Sequence, residues 1–233
     1  MRRHRITALV HKETLEMTRS GPLPFLYYVV LSMMVQFSML KRLQSAVGAS
    51  DMVTLAPATF LFIAPVVIPF TAIMLIQRRL MQEQLLGSLA VLLATGTRPG
   101  DVWLAKVLAG FSLSYVCMAL ALALNFGLTT LVLGHGIALS ATMLMIVAIV
   151  SPLGCLAMLG LLAFSVIVFR TTAIGGVLAL VILVVIQQFS LRMVKQPELL
   201  ISISYLAALA AVVTLGLLYT AVNALPRRRF VGM

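Results

Sequence analysis

Acidic residues are scarce in this chain: six Asp and Glu stand in 233 positions, against 17 Lys and Arg. Charged residues of both signs make up only 10% of the sequence, where a water-soluble domain carries about 25% to cover its surface. That scarcity excludes a soluble globular protein. Cysteine is nearly missing as well. Cys117 and Cys155 lie far apart inside apolar stretches, the setting of small core residues and not of a disulfide or a metal site. The three histidines, His4, His11 and His135, are scattered, and His135 stands between two glycines as a loop residue. Neither HExxH nor GxSxG occurs, and no GxxxxGK[ST] pattern is present to cradle nucleotide phosphates. No catalytic residue, metal-ligand set or cofactor site is therefore expected in this chain. The 14 methionines follow no repeated spacing and read as fillers of apolar packing. The N-terminal MRRHRITALVHKETLEMTRS has a twin Arg but no apolar run behind it, so neither a signal peptide nor a transit peptide is expected there.

What fills the chain is hydrocarbon. Hydrophobic residues reach 62%, and the mean hydropathy is +1.12. Several apolar runs exceed the roughly 18 residues that cross a hydrocarbon core of about 30 Å. The expected fold is an all-α membrane protein, a single transmembrane domain over residues 1–233 with six spans. These are about Pro22–Leu40, Met52–Gln77, Val102–Leu133, Ile137–Phe169, Thr172–Leu191 and Leu200–Leu225. The net charge of +11 does not point to nucleic acid, because the basic residues sit in short clusters between apolar runs. With the N-terminus cytoplasmic, only Lys41, Arg42, Arg192 and Lys195 of the 17 basic residues fall on the opposite side. Both termini are therefore expected inside. The fourth run is long, about 50 Å at 1.5 Å per residue, and SPLGC at Ser151–Cys155 marks a kink within it. Splitting it in two would put the final Arg227–Arg229 cluster outside, so one kinked helix is expected.

An ion-coupled carrier needs an ionisable group near the membrane midplane. The six acids, Glu13, Glu16, Asp51, Glu83, Asp101 and Glu198, all fall at or beyond the expected span boundaries. Lys106 lies close enough to a helix end to snorkel. No carrier of proton or sodium coupling is expected.

The most structured polar sequence is the cytoplasmic loop at residues 78–101. From Leu80 to Thr95 an amphipathic helix fits, with Leu85, Leu86, Leu89, Leu92 and Leu93 forming an apolar stripe. Glu83, Gly87, Ala90 and Ala94 share another face, small enough for a second backbone to approach closely. Thr95-Gly96 suits a C-terminal cap, Arg98-Pro99-Gly100-Asp101 suits a β-turn, and Asp101 suits the N-cap of the third span. Residues 1–21 form a further cytoplasmic helix. Ile6, Leu9, Val10 and Met17 fall roughly on one side of it, and Lys12 and Glu16 form an i,i+4 pair. That helix is expected either to anchor on anionic lipid or to contact a partner.

GSLAVLLATGTRPGDVWLAKVLAG, Gly87–Gly110 with Glu83 upstream, resembles the signature of type-2 ABC exporter permeases, which typically reads E…GTLELLLATPVSRREIVLGKLLAG. The match runs in register through Glu83, Gly87, Ser88, Leu89, Leu92, Leu93, Ala94, Thr95, Asp101, Leu104 and Lys106. HKETLEMTRSG also resembles the cytoplasmic helix that precedes the first span in that family. Ala90 stands where the family usually has Glu, and Gly96 where it usually has Pro. The resemblance implies a permease subunit of an ATP-driven exporter in the bacterial inner membrane, and a coupling helix in this loop. The implied ATPase-coupling residues are Glu83, Gly87, Ser88, Ala90, Ala94, Thr95, Gly96 and Arg98. The implied partners are a separate ABC ATPase subunit, a second copy of the chain or a homologous permease, and membrane lipid; ATP and Mg would belong to the ATPase. The short outer loops and the GSL spelling are also similar to the haem-exporter permease of cytochrome c maturation. A different class stays open too: a non-transporting membrane scaffold or assembly protein that docks through the same helix. The sequence singles out no substrate-binding residue.

Overall fold

The computed structural model describes residues 2–19, 23–46, 55–86, 91, 93–94, 96–134, 136–169, 177 and 197–225. Among these residues all regular structure is helical. Helix α1 is Arg2–Thr18 and α2 is Leu23–Ala46. A 3-10 turn, Ala56–Phe62, leads into α3, Ile63–Leu85. Helix α4 is Pro99–Leu133. A short helix α5, Ala141–Met145, passes through a π-helical turn, Ile146–Val150, into α6, Ser151–Phe169. Helix α7 is Pro197–Ala224.

Among the described residues, four helical runs are long and apolar enough to cross a membrane: Ala56–Glu83, Pro99–Leu133, Ala141–Phe169 and Ile201–Ala224. They correspond to the second, third, fourth and sixth expected spans. The first expected span coincides with helix α2, which is not among the four. The fifth, Thr172–Leu191, lies outside the described residues apart from Val177. Of the fourth run, Ala141–Phe169 is one continuous helix, as expected.

Two boundaries differ from expectation. The second run does not stop at Arg78-Arg79 but continues as α3 to Leu85, so Leu80–Leu85 belong to this helix and not to a separate surface helix. The reason is that Arg79 finds carboxylates to pair with, as shown below. Helix α4 starts at Pro99 and not near Val102. Proline at a first helical position loses no bond, because that N–H has no intrahelical partner.

The prolines shape the start of α3. Pro57 opens the 3-10 turn, and Pro65 withholds the amide that an α-helical bond to the Leu61 carbonyl would need. Helix α3 is the centre of the bundle, packed on α2, α4 and α6. Within the described structure 83% of its span window is buried, against 11% for α7, which places α7 at the periphery.

The helix directions follow from close contacts. Trp103 of α4 lies against Gly160 of α6, and Tyr115 reaches Ala148, so these runs are antiparallel. Gly154 lies beside Ala207 and Ala208, and Gly160 beside Leu215 and Leu218, so α6 and α7 are parallel. Helix α6 therefore ends, and α7 begins, at opposite ends of the bundle. Helix α1, the end of α3, the start of α4 and the end of α7 gather at one end, here called the near end. The Gly134–Ser140 connection lies at the far end.

Candidate functional site

The near end is built around the loop between α3 and α4. At its start, α3 closes with the Leu86 N–H donating to the Gln82 carbonyl at 2.9 Å. Further on, Val91, Leu93 and Ala94 are helical. Leu93 is buried in the core, while Leu86, Val91, Ala94, Gly96 and Arg98 are exposed. Gly96 has φ +80 and its N–H donates to the Leu93 carbonyl at 3.3 Å. This is the left-handed stop expected at that position, and a residue with a Cβ would be strained there.

The expected turn at Arg98–Asp101 is present, with the Asp101 N–H donating to the Arg98 carbonyl at 3.0 Å, but it opens directly into α4. Arg98, in extended backbone, is the N-cap, and Asp101 is not. Asp101 sits instead in the first helical turn, where a negative charge complements the amide dipoles. Its Oδ1 accepts from the Tyr219 hydroxyl of α7 at 2.9 Å. Beside it, the Gly100 N–H donates to Asn223 Oδ1 at 3.1 Å, satisfying one of the unpaired amides at the helix start. A Cβ on Gly100 would lie 2.5 Å from Asn223 Nδ2, so any larger residue here must displace the Asn223 side chain. The end of the loop is thus fastened to the last helix.

The start of the loop is fastened by charge. Lys106 of α4 is fully buried, and its Nζ lies 2.8 Å from Glu13 Oε2 of α1 and 2.7 Å from the Glu83 carboxylate of α3. Glu13 is 1% exposed and Glu83 7%. Arg79 Nε lies 3.4 Å from Glu83 Oε1, and its guanidinium also binds Glu16 of α1. Lys12 Nζ completes the chain at 3.8 Å from Glu16. Carboxylate oxygens of Glu13, Glu16 and Glu83 come within 4.8 Å of one another and take their counter-charge from Lys106 and Arg79. Balance of this kind is what lets charges leave water: a buried ion without its partner costs several kcal/mol.

This network corrects two expectations. Lys106 does not snorkel; it points into the protein and neutralises two acids. Glu83 does not face outward from a surface helix: it is buried while Ala94 is exposed, so these two coupling candidates do not share one surface. Gly96 and Arg98 lie on the exposed surface with Ala94. Gly87, Ser88, Ala90 and Thr95 lie outside the described residues. Sequence reasoning missed Glu13, Arg79 and Lys106 as one unit. The available signal was Lys106 itself, a single cation in the apolar run WLAKVLAG.

A neutral polar ladder stands farther along α4, about 28 Å from Lys106 at 1.5 Å rise per residue. Asn125 Nδ2 donates to Ser32 Oγ of α2 at 3.2 Å, and Gln36 Nε2 donates to Thr59 Oγ1 at 2.6 Å and to Thr129 Oγ1 at 3.4 Å. All five side chains are buried. The ladder joins α2, the 3-10 turn and α4 toward the far end, while the ion network joins α1, α3 and α4 at the near end.

No protein-family model, no curated protein and no solved structure matches this chain.

Proposed function

We propose that this chain is the permease subunit of an ATP-driven exporter of the type-2 ABC kind. Two such subunits, identical or homologous, form the substrate path in a bacterial inner membrane with both termini cytoplasmic, and separate ATPase subunits bind ATP and Mg. The observation that carries this reading is a loop fastened at both ends whose described residues, apart from the buried Leu93 and the half-buried Thr97, are exposed in between. Glu83 ties its start to Lys106 and Arg79, Asp101 and Gly100 tie its end to Tyr219 and Asn223, and Leu86, Val91, Ala94, Gly96 and Arg98 face outward. The resemblance of Gly87–Gly110 to the family's signature supports the same reading. A force applied to such a loop passes through short polar contacts into α1, α3, α4 and α7 together. The chain supplies no covalent chemistry; its part is to convert displacement of the loop into rearrangement of the helices.

The test is purification of the tagged protein from its host in mild detergent, with its companions identified by mass spectrometry. A stoichiometric soluble partner carrying GxxxxGK[ST] is expected. Gly87→Trp should then abolish stimulation of that partner's ATPase while leaving membrane insertion intact. A preparation that holds no ATPase, even with ATP present and after crosslinking, would select the scaffold reading instead.

A further inference from the structure

We propose that Tyr115 is the catch of a hinge built into the apolar helical run Ala141–Phe169. Pro152 has no N–H, so the carbonyl four residues earlier, that of Ala148, lacks its α-helical donor. Helices commonly leave such a group to water or accept a local distortion. Here both a distortion and a substitute donor are present. Residues Ile146–Val150 widen into a π-helical turn, with the Ser151 N–H donating to the Ile146 carbonyl. The Tyr115 hydroxyl of α4 donates to the Ala148 carbonyl at 2.8 Å, across 33 positions of sequence. A donor from another helix thus reaches the carbonyl that Pro152, four residues on, cannot serve.

The two arms on either side of the turn are held very differently. In α6, Leu159, Leu162, Ala163, Val166 and Ile167 are all nearly inaccessible. None of Ala141–Met145 is buried, and Ser140 caps that arm locally, its side chain accepting from the Met143 N–H. Single π-helical turns inside α-helices are recurrent at functional bends. The fixed arm, the widened turn and the lightly held arm together make a hinge, and the side chain bridging it from α4 is Tyr115. Release of that hydroxyl frees the far-end arm to swing without disturbing α6. This inference rests on local geometry alone and stands whether or not the chain belongs to an exporter.

The experiment compares the native protein, Tyr115→Phe, Pro152→Ala and the double variant in lipid nanodiscs by amide hydrogen exchange. Tyr115→Phe should accelerate exchange across residues 146–154 by about tenfold, the factor carried by roughly one lost hydrogen bond, with α6 beyond Leu159 unchanged. Pro152→Ala returns a donor to the Ala148 carbonyl, so adding Tyr115→Phe to it should change exchange less than about twofold. Equal acceleration in both backgrounds would overturn the proposal, because Tyr115 would then act through ring packing. No acceleration in the native background would overturn it as well. Phe111→Leu provides a second comparison if Pro152→Ala does not fold. It alters the aromatic neighbour 6.0 Å from the Tyr115 ring but removes no hydroxyl, and the hinge requires that it leave residues 146–154 at the native rate.

Discussion

At the scale of single residues the decisive feature is Lys106. It has no exposure, and Glu13 and Glu83 reach it from two other helices. Replacing it with an uncharged side chain strands the buried Glu13 carboxylate and leaves Glu83 to pair with Arg79. Lys106→Met should therefore destabilise the protein by about 3–5 kcal/mol, read as a large drop in melting temperature in detergent. Adding Glu13→Gln and Glu83→Gln should recover much of that loss, because neutral amides leave no stranded charge. Lys12→Ala, at the exposed rim of the same network, should cost only a few tenths of a kcal/mol. If Lys106→Met melted with the native protein, the network would not be closed in solution. The sequence made some of these roles legible and not others. Gly96 was legible because a Gly before Arg-Pro-Gly-Asp stops a helix by purely local geometry. The partner of Lys106 was not, since Glu13 is 93 positions away and only the return of α1 to α4 brings them together.

Helices were the most legible elements, because an apolar run of sufficient length has few other ways to satisfy its backbone in lipid. Their ends were less so. Arg78-Arg79 reads as a stop, yet α3 passes through it, because Arg79 is received by Glu16 and Glu83. SPLGC reads as a kink, and a π-helical turn, Ile146–Val150, lies directly before it, but nothing near it in sequence points to Tyr115. Three helices pack closely at Gly160. A Cβ there would lie 2.8 Å from Leu215 Cδ2, 3.2 Å from Trp103 Cζ2 and 3.3 Å from Leu218 Cδ1. Gly160→Leu should force α6 away from α4 and α7, at a cost of about 1–3 kcal/mol for overpacking. Trp103 is the only tryptophan in the chain, so its emission reports this seam directly. A red shift is expected for Gly160→Leu and none for Gly216→Leu, where a Cβ meets nothing within 4 Å. Unchanged emission in Gly160→Leu would mean that the seam absorbs the larger side chain.

Over the whole molecule, the polar ties sort by end. Helix α1 and the end of α7 both meet the start of α4, and the Gly134–Ser140 connection lies opposite. Reporter fusions at the two termini should therefore give the same sidedness, and a cysteine placed at Gly136 the other; opposite signals from the termini would break this arrangement. The direction relative to the cell was read from the distribution of basic residues, which is a property of the sequence alone. The ion network also has a consequence in time. A ribosome completes Glu13 first, Glu83 next and Lys106 last, so the cation arrives after both acids are already waiting. Helix α4 cannot settle at its near end until the oldest part of the chain has come back to meet it. The first helix made is in that sense the last to find its place, and a nascent chain deprived of it would leave Lys106 short of one of its two counter-charges.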